Sequence, residues 1–154
     1  MHEAWIRQVV GMAAENVRRG GGPFAALVVR DGIVIAAGAN QVTRANDPTA
    51  HAEIVAIREA CRVLGSFQLA GCDIYCSCEP CPMCLGAIYW ARPARVYFAA
   101  THCDAAAAGF DDTLIYEQLT RPPAERSIPM IHVATEAATQ PFQEWIGQVD
   151  KLAY

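Results

Sequence analysis

Four of the seven cysteines in this 154-residue chain fall within nine positions, at Cys76, Cys78, Cys81 and Cys84. An oxidising compartment favours cysteines that are paired and dispersed. An odd number with a dense cluster points instead to a reduced, cytoplasmic protein that holds a metal. Single cysteines often serve as small apolar packing residues, and Cys61 and Cys72 read that way. A C-x-C-x2-C-x2-C run does not. The cluster also constrains the chain path. Glu79-Pro80 must turn the chain after the strand-like "CDIYCSC". A helix then opens at Cys81, with Pro82 acceptable in its first turn.

The remaining sequence alternates between helical and extended patterns. Residues Glu3 to Arg18 place Ile6, Val9, Val10, Ala13, Ala14 and Val17 at helical spacing, and the triplet Gly20-Gly21-Gly22 ends that helix. "PFAALVVRDGIVIAAGAN" reads as two strands joined at Asp31-Gly32, a strong hairpin signal. A second helix runs from His51 to Leu64, with Ile54, Ile57, Cys61 and Leu64 on its core face and Gly65 as its stop. The third helix extends from Cys81 to Ala91 and is blocked by Pro93. "ARVYFAA" is a fourth strand, "FDDTLIYEQL" a short helix, "MIHVAT" a fifth strand and "PFQEWIGQVDKL" a final helix. This alternation predicts an α/β protein, a three-layer α/β/α sandwich. No repeat or linker divides it, so residues 1–154 read as a single domain.

Composition narrows the function classes. An apolar fraction of 53% against 18% charged excludes intrinsic disorder. The 28 alanines favour helices and close packing. With 12 basic and 16 acidic residues the net charge is −4, which argues against a broad nucleic-acid-binding face. The longest apolar runs, Ala25–Val29 and Ile33–Ala37, fall far short of the roughly 18 residues that span a bilayer. The first residues, MHEAWIRQVV, lack the features of a secretory signal.

Two short pieces carry the chemistry: His51-Ala52-Glu53 and Pro80-Cys81-Pro82-Met83-Cys84. Each opens a helix. Cys81 and Cys84, at i and i+3, share one helix face and can grip one ion. The positive end of the helix dipole favours their thiolates. His51 and Glu53 lie in a first turn, where both side chains can reach a site off the helix end. One histidine and two cysteines make three ligands, and a zinc site with three protein ligands keeps its fourth position for water. Zinc acidifies that water, and Glu53 is placed to carry its proton to a leaving group. Two other arrangements stay open. One is a closed, all-sulfur site of Cys76, Cys78, Cys81 and Cys84, which would be a structural zinc module. The other is a redox CxxC pair, which usually comes without a neighbouring H-x-E.

The pair of motifs, "HAE" and then "PCPMC", matches the H-x-E…P-C-x-x-C signature of zinc deaminases. Over nearly its whole length the chain resembles the cytidine deaminase superfamily. The finer resemblance is to that family's small bacterial guanine-deaminating branch. It is carried by "SCEPCPMCLGAIYWARP", "AAAAGFDDTLIYEQL" and the tail from "PFQEW" to Tyr154. The resemblance implies a five-stranded mixed sheet between helices and one zinc ion per subunit, held by His51, Cys81 and Cys84. It implies Glu53 as proton shuttle and hydrolysis of guanine, a small purine base, to xanthine and ammonia. Asn40 and the backbone of Ala52 would contact the substrate, Phe24 and Trp90 would flank its ring, and Asp112 and Tyr154 would select it. It further implies a homodimer in which the segment around residues 135–154 is exchanged between subunits.

Read from the residues alone, these positions are more ordinary. Asn40 equally suits a turn. Asp111 and Asp112 form an N-cap pair before Thr113, of which one can cap while the other faces a site. Phe24 and Trp90 read first as core, and a terminal Tyr154 as frayed. His102 and Cys103 carry no assigned role, and His132 reads as packing or surface. Deaminases of tRNA adenosine, or of cytosine and nucleosides, share both motifs and remain rivals. No nucleic-acid or membrane partner is expected.

Overall fold

The protein is described here by a computed structural model covering residues 1–154. By its internal packing the chain falls into two compact units, Met1–Thr113 and Leu114–Tyr154.

In the first unit, α1 spans His2–Arg18 and leads into the hairpin of β1 (Ala25–Arg30) and β2 (Ile33–Ala39). The expected turn is formed by Asp31 and Gly32, with φ of 51° and 74°, the doubly left-handed pair that a two-residue hairpin needs. The short α2 (Val42–Ala45) and then α3 (Ala52–Leu64) follow. Gly65 ends α3 at φ 61°, in the left-handed region. β3 is Cys72–Cys78, α4 is Pro82–Ala91, β4 is Arg95–Ala100 and α5 is His102–Ala107.

The four strands form one sheet in the order β2-β1-β3-β4. β1 runs antiparallel to both β2 and β3, and β3 pairs parallel with β4 through the α4 crossover. Alternation along the strands separates two cores. Ala26, Val28, Ile74 and Cys76 face α3 and α4, against Ala52, Ala56, Ala60 and Ile88. Ala25, Leu27, Val29 and Tyr75 face α1, against Val9 and Ala13. This is the expected three-layer α/β/α arrangement.

α3 buries an alanine stripe, Ala52-Ala56-Ala60, and Ile57, Cys61 and Leu64 are only partly buried beside it. The helix comes very close to β2. A Cβ on Gly38 would overlap the Ala52 carbonyl oxygen and lie 2.6 Å from the Ala56 nitrogen. The many alanines are what permit such close layers.

The direction of the strands places the site. β2, β3 and β4 all run the same way, and β1 runs opposite. The residues after β2, β3 and β4 and those before β1 therefore meet at one edge of the sheet. Asn40, the Glu79–Cys81 turn, Thr101–His102 and Phe24 all lie there. Hydrogen bonds tie this edge together: Asn40 N–H donates to the Phe24 carbonyl at 3.0 Å, and next to Phe24 the Ala25 N–H donates to the Ser77 side-chain Oγ at 3.0 Å.

The sheet has four strands, not the five expected. Residues 130–135, the sequence "MIHVAT", form no strand, and Ile131 and Val133 are exposed. A β pattern becomes a strand only where a neighbouring strand takes its backbone hydrogen bonds, and these residues pair with none. β4 correspondingly ends the sheet as an edge.

The second unit contains most of α6 (Thr113–Thr120), two single-turn helical segments at Pro123–Glu125 and Glu136–Thr139, and α7 (Gln140–Gly147). The expected last helix stops at Gly147, short of Leu152. No helix is long and apolar enough to cross a membrane.

Candidate metal centre and active site

His51 is the N-cap of α3 and Cys81 the N-cap of α4, both with extended backbone. Pro82 is the first helical residue after Cys81, so Cys84 comes on the first turn and on the same face. No side chain caps either helix start. The first-turn N–H groups, which lack partners inside the helix, are thereby presented to the site with the positive dipole end.

The ligand atoms of His51, Cys81 and Cys84 lie within 4.8 Å of one another. His51 Nδ1 is 3.5 Å from the Sγ of Cys81 and 3.5 Å from that of Cys84. A tetrahedral zinc ion with ordinary Zn–N and Zn–S bonds requires a nitrogen–sulfur spacing of about 3.6 Å. The donor set therefore fits zinc in both type and spacing, and Nδ1 is the ligating nitrogen. Cys76 and Cys78 are outside the cluster. Both are buried, and Cys78 donates its thiol to the Thr101 carbonyl at 3.5 Å. The closed four-sulfur arrangement is not what the chain forms.

The electrostatics suit ligation and proton transfer. The Cys84 thiol hydrogen-bonds to the Cys81 sulfur, and His51 adds to this, lowering the Cys81 pKa to about 4. The same bond to Cys81 pushes the Cys84 thiol up. Cys81 therefore favours its thiolate and Cys84 its thiol, whose proton a metal ion would displace. Cys81 in turn raises the pKa of His51. Glu53 is 7% exposed and its Oε2 is 3.4 Å from Cys84 Sγ. Burial raises its pKa above the usual carboxylate range, so it can hold a proton and release it.

The other expected residues divide. Ala52 is fully buried, beside His51. Asn40 is 8% exposed; its Oδ1 accepts from Val42 N–H at 3.2 Å. Phe24 meets Phe110 edge-on, with ring centroids 5.0 Å apart, so the loop carrying Asp112 folds back onto the edge that holds Asn40. Asp111, not Asp112, caps α6 by accepting from Thr113 N–H at 2.9 Å. Trp90 lies near the far end of α4, exposed, nine residues or about 13 Å of helix rise from Cys81. Tyr154 belongs to the second unit and is exposed.

Three participants were not singled out from the sequence. Phe110 forms a wall with Phe24. Asn16 is buried and donates from Nδ2 to the carbonyls of Gly22 at 2.8 Å and Asn40 at 3.0 Å. Glu79 takes His102 as partner, Oε2 to Nδ1 at 2.8 Å, which lowers the Glu79 pKa and raises that of His102. The only sequence signals were a polar residue on the apolar face of α1 and a carboxylate directly before Pro80.

Comparison with known proteins extends the geometry. A guanine deaminase of Bacillus subtilis is 54% identical over 154 residues, 99% of each chain. The crystal structure of the Bacillus subtilis guanine deaminase superposes with a TM-score of 0.98, covering 100% of this chain and 99% of that one at 54% identity. A structure of guanine deaminase from Nitrosomonas europaea gives a TM-score of 0.69 at 37% identity, over 71% of this chain and 64% of that one. A tRNA-specific adenosine deaminase of Agrobacterium fabrum is 50% identical over 78 residues, 51% of each chain. Residues 1–100, which include both motifs, match the cytidine and deoxycytidylate deaminase zinc-binding region. The three-residue cluster and the buried Glu53 both lie within that matched region, and the chain belongs to the cytidine and deoxycytidylate deaminase family.

Proposed function

We propose that the protein is a guanine deaminase, hydrolysing guanine and water to xanthine and ammonia. One observation carries this choice of base. Identity to the Bacillus subtilis guanine deaminase runs through 99% of both chains, while identity to the Agrobacterium fabrum tRNA deaminase spans 51% of each. The shared metal fold cannot choose a substrate, but residues beyond it can.

His51, Cys81 and Cys84 would hold zinc, which would supply Lewis acidity and acidify water at the site. Glu53 accepts the proton of the attacking water and delivers it to the C2 amino group, which leaves as ammonia. Its raised pKa suits it to both halves of this transfer. The backbone N–H of Cys81, at the N-terminal end of α4, favours negative charge at the reacting carbon's oxygen. Asn40 and the backbone of Ala52 hold polar edges of the base. Phe24, with Phe110 beside it, supplies an apolar wall for a flat ring. Asp112 and Tyr154 recognise guanine's donor edge, and Trp90 adds aromatic surface.

We read residues 1–154 as one deaminase domain working as a homodimer, with the segment around residues 135–154 exchanged between subunits. Two features support this: β4 is an unpaired sheet edge, and Leu85, Tyr89 and Phe98 are exposed on α4 and β4. Seven free cysteines accord with a cytoplasmic location.

Ammonia release from purified protein tests the function. The panel is guanine, guanosine, adenine, cytosine, a triazine amine and a tRNA anticodon stem-loop. Guanine is expected to be turned over fastest. Turnover of the stem-loop without guanine would make the protein a tRNA adenosine deaminase instead. Sedimentation, with and without residues 135–154, tests the dimer.

A further inference from the structure

Glu79 is the last residue before the Pro80-Cys81 turn, and its hydrogen bonds all reach residues 100–102. Its N–H donates to the Ala100 carbonyl at 2.8 Å. Its Oε2 accepts from His102 N–H at 3.0 Å and from His102 Nδ1 at 2.8 Å. Beside it, the Cys78 thiol donates to the Thr101 carbonyl at 3.5 Å. The receiving segment is itself braced. Thr101 N–H and Oγ1 donate to Asp104 Oδ2 at 2.8 and 2.7 Å, and Asp104 N–H reaches back to Thr101 Oγ1. This is a reciprocal capping box at the start of α5.

None of these bonds involves a ligand atom. They act where β3 leaves the sheet, two residues before the first sulfur ligand. A side chain that fixes the chain there fixes the direction of entry into α4. We propose that Glu79 and His102 form a positioning clamp that holds Cys81 Sγ at ligand distance from His51 Nδ1 and Cys84 Sγ. The inference rests on His51, Cys81 and Cys84 being the zinc site. The pair is half exposed, with side-chain accessibilities of 50% for His102 and 30% for Glu79. Such pairs add little to global stability. The clamp therefore shows in how firmly zinc is held, and hardly in whether the chain folds.

The test is zinc transfer from the zinc-loaded protein to excess chelator, with cobalt-substituted protein giving the thiolate-to-metal absorption bands. H102A is expected to lose zinc about tenfold faster, the low end of the range for partners beyond the ligands, with shifted cobalt bands and a nearly unchanged urea midpoint. H102N places an amide nitrogen near the position of Nδ1 and can still donate to Glu79, so it is expected to stay within about twofold of the wild type. Should H102A fail to fold, E79Q against E79A makes the same comparison, with E79Q the slower to lose zinc. Retention of zinc by H102A at the wild-type rate would overturn the clamp, and so would equal loss from H102N and H102A. A wild-type protein that takes up no zinc would overturn the metal centre and the clamp with it.

Discussion

Glu53 Oε2 lies 3.4 Å from Cys84 Sγ, inside the sheet edge and shielded from solvent. The carboxyl touches the ligand set without belonging to it. Burial, more than any partner, raises its pKa. Glu53→Gln preserves shape and removes the titration. Zinc content is expected to stay stoichiometric while kcat falls by about 10²- to 10⁴-fold, the usual weight of general acid–base catalysis. Metal analysis beside ammonia release checks it, and near-normal turnover would remove Glu53 from the chemistry.

Ligand identity is separable by substitution. His51→Ala is expected to lose stoichiometric zinc. Cys76→Ser and Cys78→Ser are expected to keep it, because both sulfurs are outside the cluster. X-ray absorption should report two sulfurs and two lighter donors. Removing zinc lowers stability by linkage, and free zinc at a thousandfold its Kd would contribute about 4 kcal/mol. A Tm that ignores chelator would argue against a bound ion.

Gly38 has no room for a methyl group, because the Ala52 carbonyl and the Ala56 nitrogen occupy that space. Gly38→Ala must push α3 off β2, and His51 caps that helix. Overpacking of this kind costs about 1–3 kcal/mol, readable in urea unfolding. A companion loss of zinc affinity is expected, since the His51 imidazole moves with the helix start.

Asn16 is buried and satisfies two carbonyls, of Gly22 and Asn40. Asn16→Ala leaves the buried Asn40 carbonyl without its donor, while Gly22 keeps Phe24 N–H, a cost of about 1–3 kcal/mol. KM is expected to rise more than kcat falls, since Asn40 is displaced and Glu53 is not. Asn16→Asp turns a carboxyl toward two oxygens. Its buried acid has a raised pKa, so this variant is expected to be more stable at pH 5 than at pH 8. Equal unfolding midpoints at the two values would count against that placement.

Much of the protein was legible because the relevant physics is local. The Asp31-Gly32 turn, the Gly65 stop, Pro82 at the start of α4 and the i, i+3 cysteines are each set within a few residues. So was the pairing of H-x-E with P-C-x-x-C, where residue type and helix position together imply an open metal site. The α3 core was misjudged in detail. The periodicity favoured Ile54, Ile57, Cys61 and Leu64; Ile54 is buried and the other three are partly buried, while the most buried stripe is Ala52-Ala56-Ala60, because Gly38 lets the small face come nearest the sheet.

Other features were invisible in one dimension. "MIHVAT" has a strand's composition, but a strand exists only with a partner, and composition names none. Phe24 meets Phe110, far apart along the chain, Asn16 reaches Asn40, and Glu79 reaches His102. Each pairing follows from strand order and direction, which bring the ends of β2, β3 and β4 and the beginning of β1 to one edge. The sequence alone narrowed the zinc ligands to His51 and four clustered cysteines, since ligand chemistry belongs to residue type and short spacing. The tertiary structure decided which atoms surround that centre, because long-range neighbours are set by the packing of a whole sheet.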